Sequence, residues 1–332
     1  MALGPPIIDF CPFFTDDNTA RATLVTQIRE ACQEFGFFQL QNHGIPEQLQ
    51  AEVLRQCEKF FTLPIETKKR YNKDDGGFNR GYECLRAQNF EKSAEGDLKE
   101  GFYLGQDLPL DDPYVQAHKF SQGPNKYPEE VEDPGLFRRT VDQYHDALST
   151  LARNILSVMA ETLGLERTFF DEFCHHPVAI LRLLHYPPQA PDASELERGI
   201  GAHMDFGAIT ILLQDSIGGL QVWNRSSKEW VDIQPTPGAV VVNTGNMMMR
   251  WTNDRYISNL HRVINKTGNE RYSVPFFFSG NPDYLLQCLE TCKSPGEQAK
   301  YPPITVGEWM TGRYADTYGT SKGKAVQDLV CV

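Results

Sequence analysis

Apolar residues recur three or four positions apart from Thr19 to Phe35, at Leu24, Ile28, Ala31 and Phe35, which predicts an amphipathic helix stopped by Gly36. The apolar pieces on either side of it, Ile7–Phe10 and Phe37–Leu40, read as short strands. Pro46 opens a second predicted helix carrying Leu49, Val53, Leu54, Cys57, Phe60 and Phe61. A proline fits that first turn because its missing N–H would have no partner there anyway. Residues 71–130 are rich in Gly, Pro, Asp and Asn, with strand-like pieces at Gly81–Leu85 and Phe102–Leu104. Then comes the longest stripe at helical spacing: Leu136, Thr140, Tyr144, Leu148, Leu151, Ile155, Met159 and Leu163. Core packing accounts for it.

After Pro177 the texture changes. Short apolar pieces recur at Val178–Leu184, Ile209–Leu213, Leu220–Trp223, Trp230–Ile233, Ala239–Asn243, Leu260–Ile264 and Ser273–Phe278, punctuated by Gly, Pro, Asn and Asp. Many short strands at such spacing predict a sandwich or closed barrel and not a βαβ sheet. Thr305–Tyr318 returns to a helical pattern. The expected fold is mainly β with peripheral α: a jelly-roll core over 178–280, an N-terminal helix-and-strand region over 1–130 packed on it, and one domain spanning 1–332.

Composition narrows the function. With 332 residues, 40% hydrophobic and 23% charged, the chain has ordinary globular composition and is not a disordered one. A net charge of −12 argues against nucleic acid or an anionic membrane as partner, since phosphate binding needs a cationic surface. MALGPPIIDF has no basic leader and no long apolar run occurs, so a soluble, cytoplasmic protein is expected. The eight cysteines, Cys331 among them, then read as reduced thiols, and the close pair Cys288 and Cys292 lacks a second pair for a zinc ribbon.

Three features carry chemistry. His203 and Asp205 stand two apart on an extended stretch, so an imidazole and a carboxylate share one face and can grip one metal ion. His261, at the start of a later strand-like piece, can close the site. Two histidines and one carboxylate on one side leave open positions opposite, the facial arrangement of non-haem Fe(II) oxygenases. On the H-x-D string alone, which is common by chance, two unrelated surface residues and a core histidine are the plainer account. Arg271 and Ser273 are again two apart, and a guanidinium beside a hydroxyl on a barrel strand makes a carboxylate anchor; a surface arginine paired with an acid is the plainer account. His43 reads as structural, His175-His176 as a surface pair, Met247-Met248-Met249 as a strand half in the core, and Phe276-Phe277-Phe278 mainly as core.

Taken together, H-x-D, a distant His261-Arg262-Val263 and R-x-S in this order resemble the Fe(II)/2-oxoglutarate-dependent dioxygenases, in the subgroup of isopenicillin N synthase, plant flavonoid and gibberellin oxygenases and fungal biosynthetic hydroxylases. The resemblance runs through Gly36-Phe37-Phe38-Gln39-Leu40-Gln41-Asn42-His43-Gly44-Ile45-Pro46, Gly123-Pro124-Asn125-Lys126-Tyr127-Pro128, Leu184-His185-Tyr186-Pro187, Gly201-Ala202-His203-Met204-Asp205 and Asn243-Thr244-Gly245-Asn246. It implies a double-stranded β-helix that holds Fe(II) by His203, Asp205 and His261. It further implies that Arg271, Ser273 and Tyr186 bind 2-oxoglutarate, and that O2 oxidises a small-molecule substrate by hydroxylation, desaturation or ring closure, giving succinate and CO2. No obligate protein partner is expected. Asn79, Arg80, Glu83 and Phe102 fall in regions that line the substrate pocket in the family, and Phe277 where an aromatic wall stands. Three positions depart from the pattern: Leu184 replaces an Asn, Asn246 an Asp and Tyr127 a Trp. The rivals are an oxidase of the same fold that takes its electrons from substrate, and a metal-free binding module.

Overall fold

The computed structural model describes residues 4–88, 96–190 and 198–318; Cys331 lies outside them. In chain order the N-terminal elements are β1 (Ile7–Asp9), α1 (Asn18–Glu34), β2 (Phe37–Gln41), α2 (Glu47–Phe61), α3 (Ile65–Lys69), β3 (Gly81–Glu83), β4 (Glu100–Leu104) and α4 (Pro113–Gln116). The long helix α5 (Pro134–Thr162) leads into β5 (Val178–Tyr186), β6 (Ile200–His203), β7 (Ile209–Gln214), β8 (Leu220–Asn224), β9 (Glu229–Asp232) and β10 (Val240–Thr244). Then come α6 (Asn246–Trp251), β11 (His261–Val263), β12 (Arg271–Gly280), β13 (Leu285–Leu286), β14 (Ile304–Thr305) and α7 (Val306–Tyr318).

The helices begin and end for local reasons. The Asp17 carboxylate accepts the N–H groups of Thr19 and Ala20 at the start of α1, and Asp133 accepts that of Leu136 ahead of a first-turn proline in α5. Gly36 ends α1 at φ +65°, and a Cβ there would lie 2.0 Å from the Ile257 carbonyl oxygen, so only glycine fits.

Two sheets face each other. The larger runs β1-β2-β10-β7-β12-β5-β4-β3 and the smaller β6-β11-β8-β9. The N-terminal region therefore does more than pack on the core: β1 and β2 complete one edge of the large sheet, and β3 and β4 the other. Helices α1, α2 and α5 cover its outer face over the main apolar core, which includes Leu24, Phe60, Leu148, Ile155, Leu181 and Phe276. A second cluster fills the space between the sheets, with Phe37, Leu184, Ile200, Leu220, Val241 and Val263. This is the double-stranded β-helix that the strand pattern and the family resemblance anticipate. One expected strand is missing: Met247–Met249 lies in α6, where Met247 and Met248 are buried in the main core. The turn after β10 ends the strand there, and Asn246 N–H donates to the Asp205 carbonyl.

The large sheet is covered on both faces, so alternate residues of its strands enter two different interiors. On β12, Val274, Phe276 and Phe278 join the core under the helices, whereas Arg271, Ser273, Pro275, Phe277 and Ser279 line a cavity between the sheets. On β5, Leu181 and Leu183 go outward, and Ile180, Arg182, Leu184 and Tyr186 face the cavity. Among the described residues, no helix is long and apolar enough to cross a membrane, and the seven cysteines are free thiols.

Candidate active site

The cavity holds a three-donor cluster. β11 pairs antiparallel with β6 so that His261 lies directly opposite His203, and their ring centroids are 4.1 Å apart. In each ring Nδ1 faces a carbonyl two residues back, Gly201 at 2.9 Å and Asn259 at 3.2 Å, which turns Nε2 toward the centre. Both Nε2 atoms lie 3.7 Å from Asp205 Oδ1. The other carboxylate oxygen, Oδ2, accepts the Thr210 hydroxyl at 2.6 Å and the Asn243 amide at 2.7 Å. Burial pushes the His203 imidazole down to about 3, helped by neighbouring His261 and opposed by Asp205. Burial alone would raise the Asp205 carboxyl; His261, His203, Thr210 and Asn243 outweigh it and keep the group below the ordinary range. Two imidazoles and one carboxylate, with ligand atoms all within 4.8 Å of one another, suit a divalent transition ion and leave room for further ligands.

At one end of the same cavity β12 and β5 bring Arg271 opposite Tyr186. Arg271 is completely buried, with its Cζ 4.6 Å from the Tyr186 ring centre. Its Nε donates to the Gly218 carbonyl at 2.5 Å and Nη2 to Gln214 at 3.3 Å, but Nη1 has no hydrogen-bond partner among the described residues. The buried Ser273 hydroxyl, beside the Tyr186 phenol, has no well-formed hydrogen bond among the described residues either. Orphaned buried donors carry a penalty unless an acceptor meets them, and a guanidinium with a hydroxyl fits a carboxylate. Burial pushes the Tyr186 phenol up, with Arg271 opposing, so it stays a protonated donor. Leu184, in place of the family's Asn, sits two residues away on the same cavity face and presents only an apolar side chain.

The expected substrate residues separate. Phe277 does stand in the cavity wall. Phe102 does not: on β4 it faces the helices, 4.4 Å from Phe60 and 6.2 Å from Phe137 between ring centres, while its neighbour Tyr103 takes the opposite face. Asn79 and Arg80 also lie outside the lining. Arg80 is buried and spends its guanidinium on Phe78, Asn79 and Ser121, tying two loops together, and burial lowers it to about 10. Glu83 sits one layer behind the wall, where its carboxylate accepts from Tyr103 at 2.7 Å and Lys99 at 3.3 Å. The wall itself includes Gln88, Lys99, Arg182, Met310 and Tyr314, which sequence reading missed. Arg182 had a signal: an arginine inside the apolar run Val178–Leu184 is a buried charge in need of a reason. The remaining histidines are structural neighbours of other elements. His43 Nε2 meets the Gly238 carbonyl at 3.1 Å, and His176 stacks on Tyr114 at 4.6 Å.

Fold and site together define a non-haem iron oxygenase, and comparison with known proteins places it further. Residues 5–130 match the model for the N-terminal region of the non-haem dioxygenase in morphine synthesis, and residues 177–280 match the 2OG-Fe(II) oxygenase superfamily. The chain is 50% identical over 320 residues to the 2-oxoglutarate-Fe(II) type oxidoreductase hxnY of Emericella nidulans, covering 96% of this chain and 92% of that one. It is 42% identical to the 2-oxoglutarate-dependent dioxygenase citB of Monascus ruber, over 94% of this chain and 95% of the relative. A Neurospora crassa protein crystallised with alpha-KG and thymine superposes with a TM-score of 0.84 at 29% identity, over 94% of this chain and 96% of that one. The chain belongs to the Fe(II)/2-oxoglutarate-dependent oxygenases. It is a 2-oxoglutarate-dependent dioxygenase that uses Fe(II), 2-oxoglutarate and O2. The oxidase that dispenses with 2-oxoglutarate is not favoured.

Proposed function

We propose that His203, Asp205 and His261 hold the Fe(II), and that Arg271, Ser273 and Tyr186 receive the distal carboxylate of 2-oxoglutarate. The observation that supports this most is the pair of orphaned donors, Arg271 Nη1 and Ser273 Oγ, buried in the same cavity as the three-donor cluster. When bound, Fe(II) with 2-oxoglutarate and O2 supplies the oxidising chemistry, yielding succinate and CO2 as the substrate is oxidised. The protein's own part is positional. Gly201 and Asn259 aim the imidazoles, Thr210 and Asn243 hold one Asp205 oxygen and leave the other toward the metal, and Gly218 and Gln214 fix the guanidinium.

The substrate is a small molecule of secondary metabolism, hydroxylated, desaturated or cyclised, and the chain works as one catalytic unit in the cytoplasm without nucleic acid or an obligate protein partner. The Neurospora crassa structure with alpha-KG and thymine and the cavity between the sheets support the small-molecule reading; the −12 charge supports the absence of nucleic acid. The test is mass spectrometry of candidate metabolites incubated with enzyme, Fe(II), 2-oxoglutarate and O2. Succinate formed in step with an oxidised metabolite is the expected result. Turnover that needs no 2-oxoglutarate would overturn it in favour of the substrate-oxidase alternative.

A further inference from the structure

The cavity wall away from the anchor carries charge that the co-substrate does not use. Arg182 lies on β5 four residues before Tyr186 and on the same face, which sets them about 13 Å apart along the strand. Its Cζ lies against the rings of Tyr103 at 4.3 Å and Phe277 at 4.6 Å, and Nη2 donates to the Tyr314 hydroxyl at 3.1 Å. Lys99, 2% exposed, lines the same cavity. Its ammonium reaches Glu83 at 3.3 Å, but Glu83 is behind the wall, and the same carboxylate oxygen is shared with the Tyr103 hydroxyl. The surface an occupant meets is therefore the cationic side of the arrangement. Burial alone would raise the Glu83 carboxyl; Lys99, Arg182 and Lys73 outweigh it and hold the group ionised. On the same cavity lining, Gln88 is buried and its carboxamide oxygen has no hydrogen-bond partner among the described residues. The rest of this wall is apolar, with Ile180, Phe277 and Met310.

Lys99 and Arg182 both draw on the Glu83 carboxylate behind the wall, so an anion in the cavity meets two cations at once, and an orphaned carbonyl oxygen asks for a donor. We infer that the substrate is a compact organic acid. Its anionic oxygen, a carboxylate or an ionised phenol, is received by Arg182 and Lys99; an adjacent N–H or O–H donates to Gln88; and its apolar body lies against Ile180, Phe277 and Met310, toward the three-donor cluster. This rests on the dioxygenase reading of the same cavity. Arg80, expected from the resemblance to lie in a pocket-lining region, is instead consumed by the loops.

The test is calorimetric and needs no turnover. Wild-type enzyme is first titrated anaerobically with Fe(II) and 2-oxoglutarate. The loaded enzyme is then titrated with matched sets: aromatic carboxylates against their amides, and nitrophenols against their methyl ethers. Members of one acid set should bind about tenfold or more tightly than their neutral counterparts, a difference of about 1.4 kcal/mol or more, and the set that does so distinguishes carboxylate from phenolate. Arg182→Gln and Lys99→Met should each erase most of that preference while 2-oxoglutarate affinity stays within about twofold, the anchor being elsewhere. If Arg182→Gln does not fold, Lys99→Met and the wild-type comparison decide. Neutral partners binding as well as acids, no acid binding at all, or a preference that survives both substitutions would overturn the inference. Failure of 2-oxoglutarate to bind in the first titration would instead sink the underlying reading of the site.

Discussion

Asp205 is used unequally at its two oxygens. Thr210 and Asn243 both donate to Oδ2, so Oδ1 alone faces the two imidazoles and the carboxylate is set up to give one ligand atom. Asp205→Ala should abolish turnover and most iron binding. Thr210→Val and Asn243→Ala should each weaken iron about 10- to 100-fold, because an unheld carboxylate loses its aim. Anaerobic Fe(II) titration reads all three, and unchanged iron affinity in both outer variants would show that their hydrogen bonds do not orient the ligand. The H-x-D string was visible in the sequence; Thr210 and Asn243 were not, since they come from β7 and β10 and meet Asp205 only when the sheet forms. Arg271 makes a second prediction. Removing one partner of a desolvated charge pair typically costs about 2–5 kcal/mol. Arg271→Ala should thus weaken 2-oxoglutarate by roughly 30- to several-thousand-fold with iron affinity near wild type. Ser273→Ala should do so mildly, and Arg271→Lys should rescue in part, keeping charge without the fork. Apparent affinities for both ligands in the three variants check it.

Elements are tied together by a charged network on the far face of the large sheet. Glu100 of β4 accepts from Lys68 of α3 at 2.9 Å and Tyr82 of β3 at 2.5 Å, and pairs with His185 of β5 at 2.8 Å. The other nitrogen of His185 meets Glu270 at 2.6 Å, the residue just before Arg271. Breaking a buried pair from one side leaves an uncompensated charge, so Glu100→Gln should lower stability at neutral pH by about 3–5 kcal/mol in urea unfolding. The pH dependence follows. Burial alone would raise the Glu100 carboxyl, yet His185, Tyr82 and Lys68 hold it below the ordinary glutamate range; Glu83 is depressed in the same way. A carboxyl whose folded pKa is below its unfolded value binds fewer protons when folded, so its stabilisation is full above the unfolded value near about 4.3 and is lost as pH falls through the folded one. Wild type should therefore lose more stability between neutral and acid pH than Glu100→Gln, and parallel profiles would refute the assignment. The alternation that places Glu100 with Phe102 on this face is what puts Tyr103 on the other.

The whole molecule is closed by its site. His203 and His261 belong to the small sheet, whereas Thr210, Asn243, Arg271 and Ser273 belong to the large one. Metal and co-substrate bound as proposed would bridge two layers that otherwise meet through apolar packing, and both should stabilise the fold. At a concentration one hundred times Kd a ligand specific for the folded state adds about 2.7 kcal/mol. Fe(II) with 2-oxoglutarate should raise the anaerobic Tm, and chelation should reverse it. Asp205→Ala should remove the iron-dependent rise, and Arg271→Ala most of the 2-oxoglutarate-dependent one. A Tm indifferent to both ligands would show that they do not bind where proposed. Trp309 of α7 adds a further clamp, donating to the Phe206 carbonyl at 2.9 Å while Met310 and Tyr314 line the cavity.

Local information sufficed for most elements: periodicity placed α1, α2, α5 and, apart from β6, the strands from β5 to β12 within a few residues. Short motifs taken together with the family resemblance named His203, Asp205, His261, Arg271 and Ser273; residues two apart on a strand, as in H-x-D and R-x-S, share a face whatever the strand pairs with. Tertiary structure alone decided which face looks into the cavity. Where helices cover one side of a sheet and a second sheet the other, both faces are buried, alternation no longer separates inside from outside, and Phe102 cannot be told from Tyr103. The same holds for charge. Arg80 and Arg182 are both buried arginines, and only the packing shows that loop carbonyls consume the first while the second stands on the wall of the cavity.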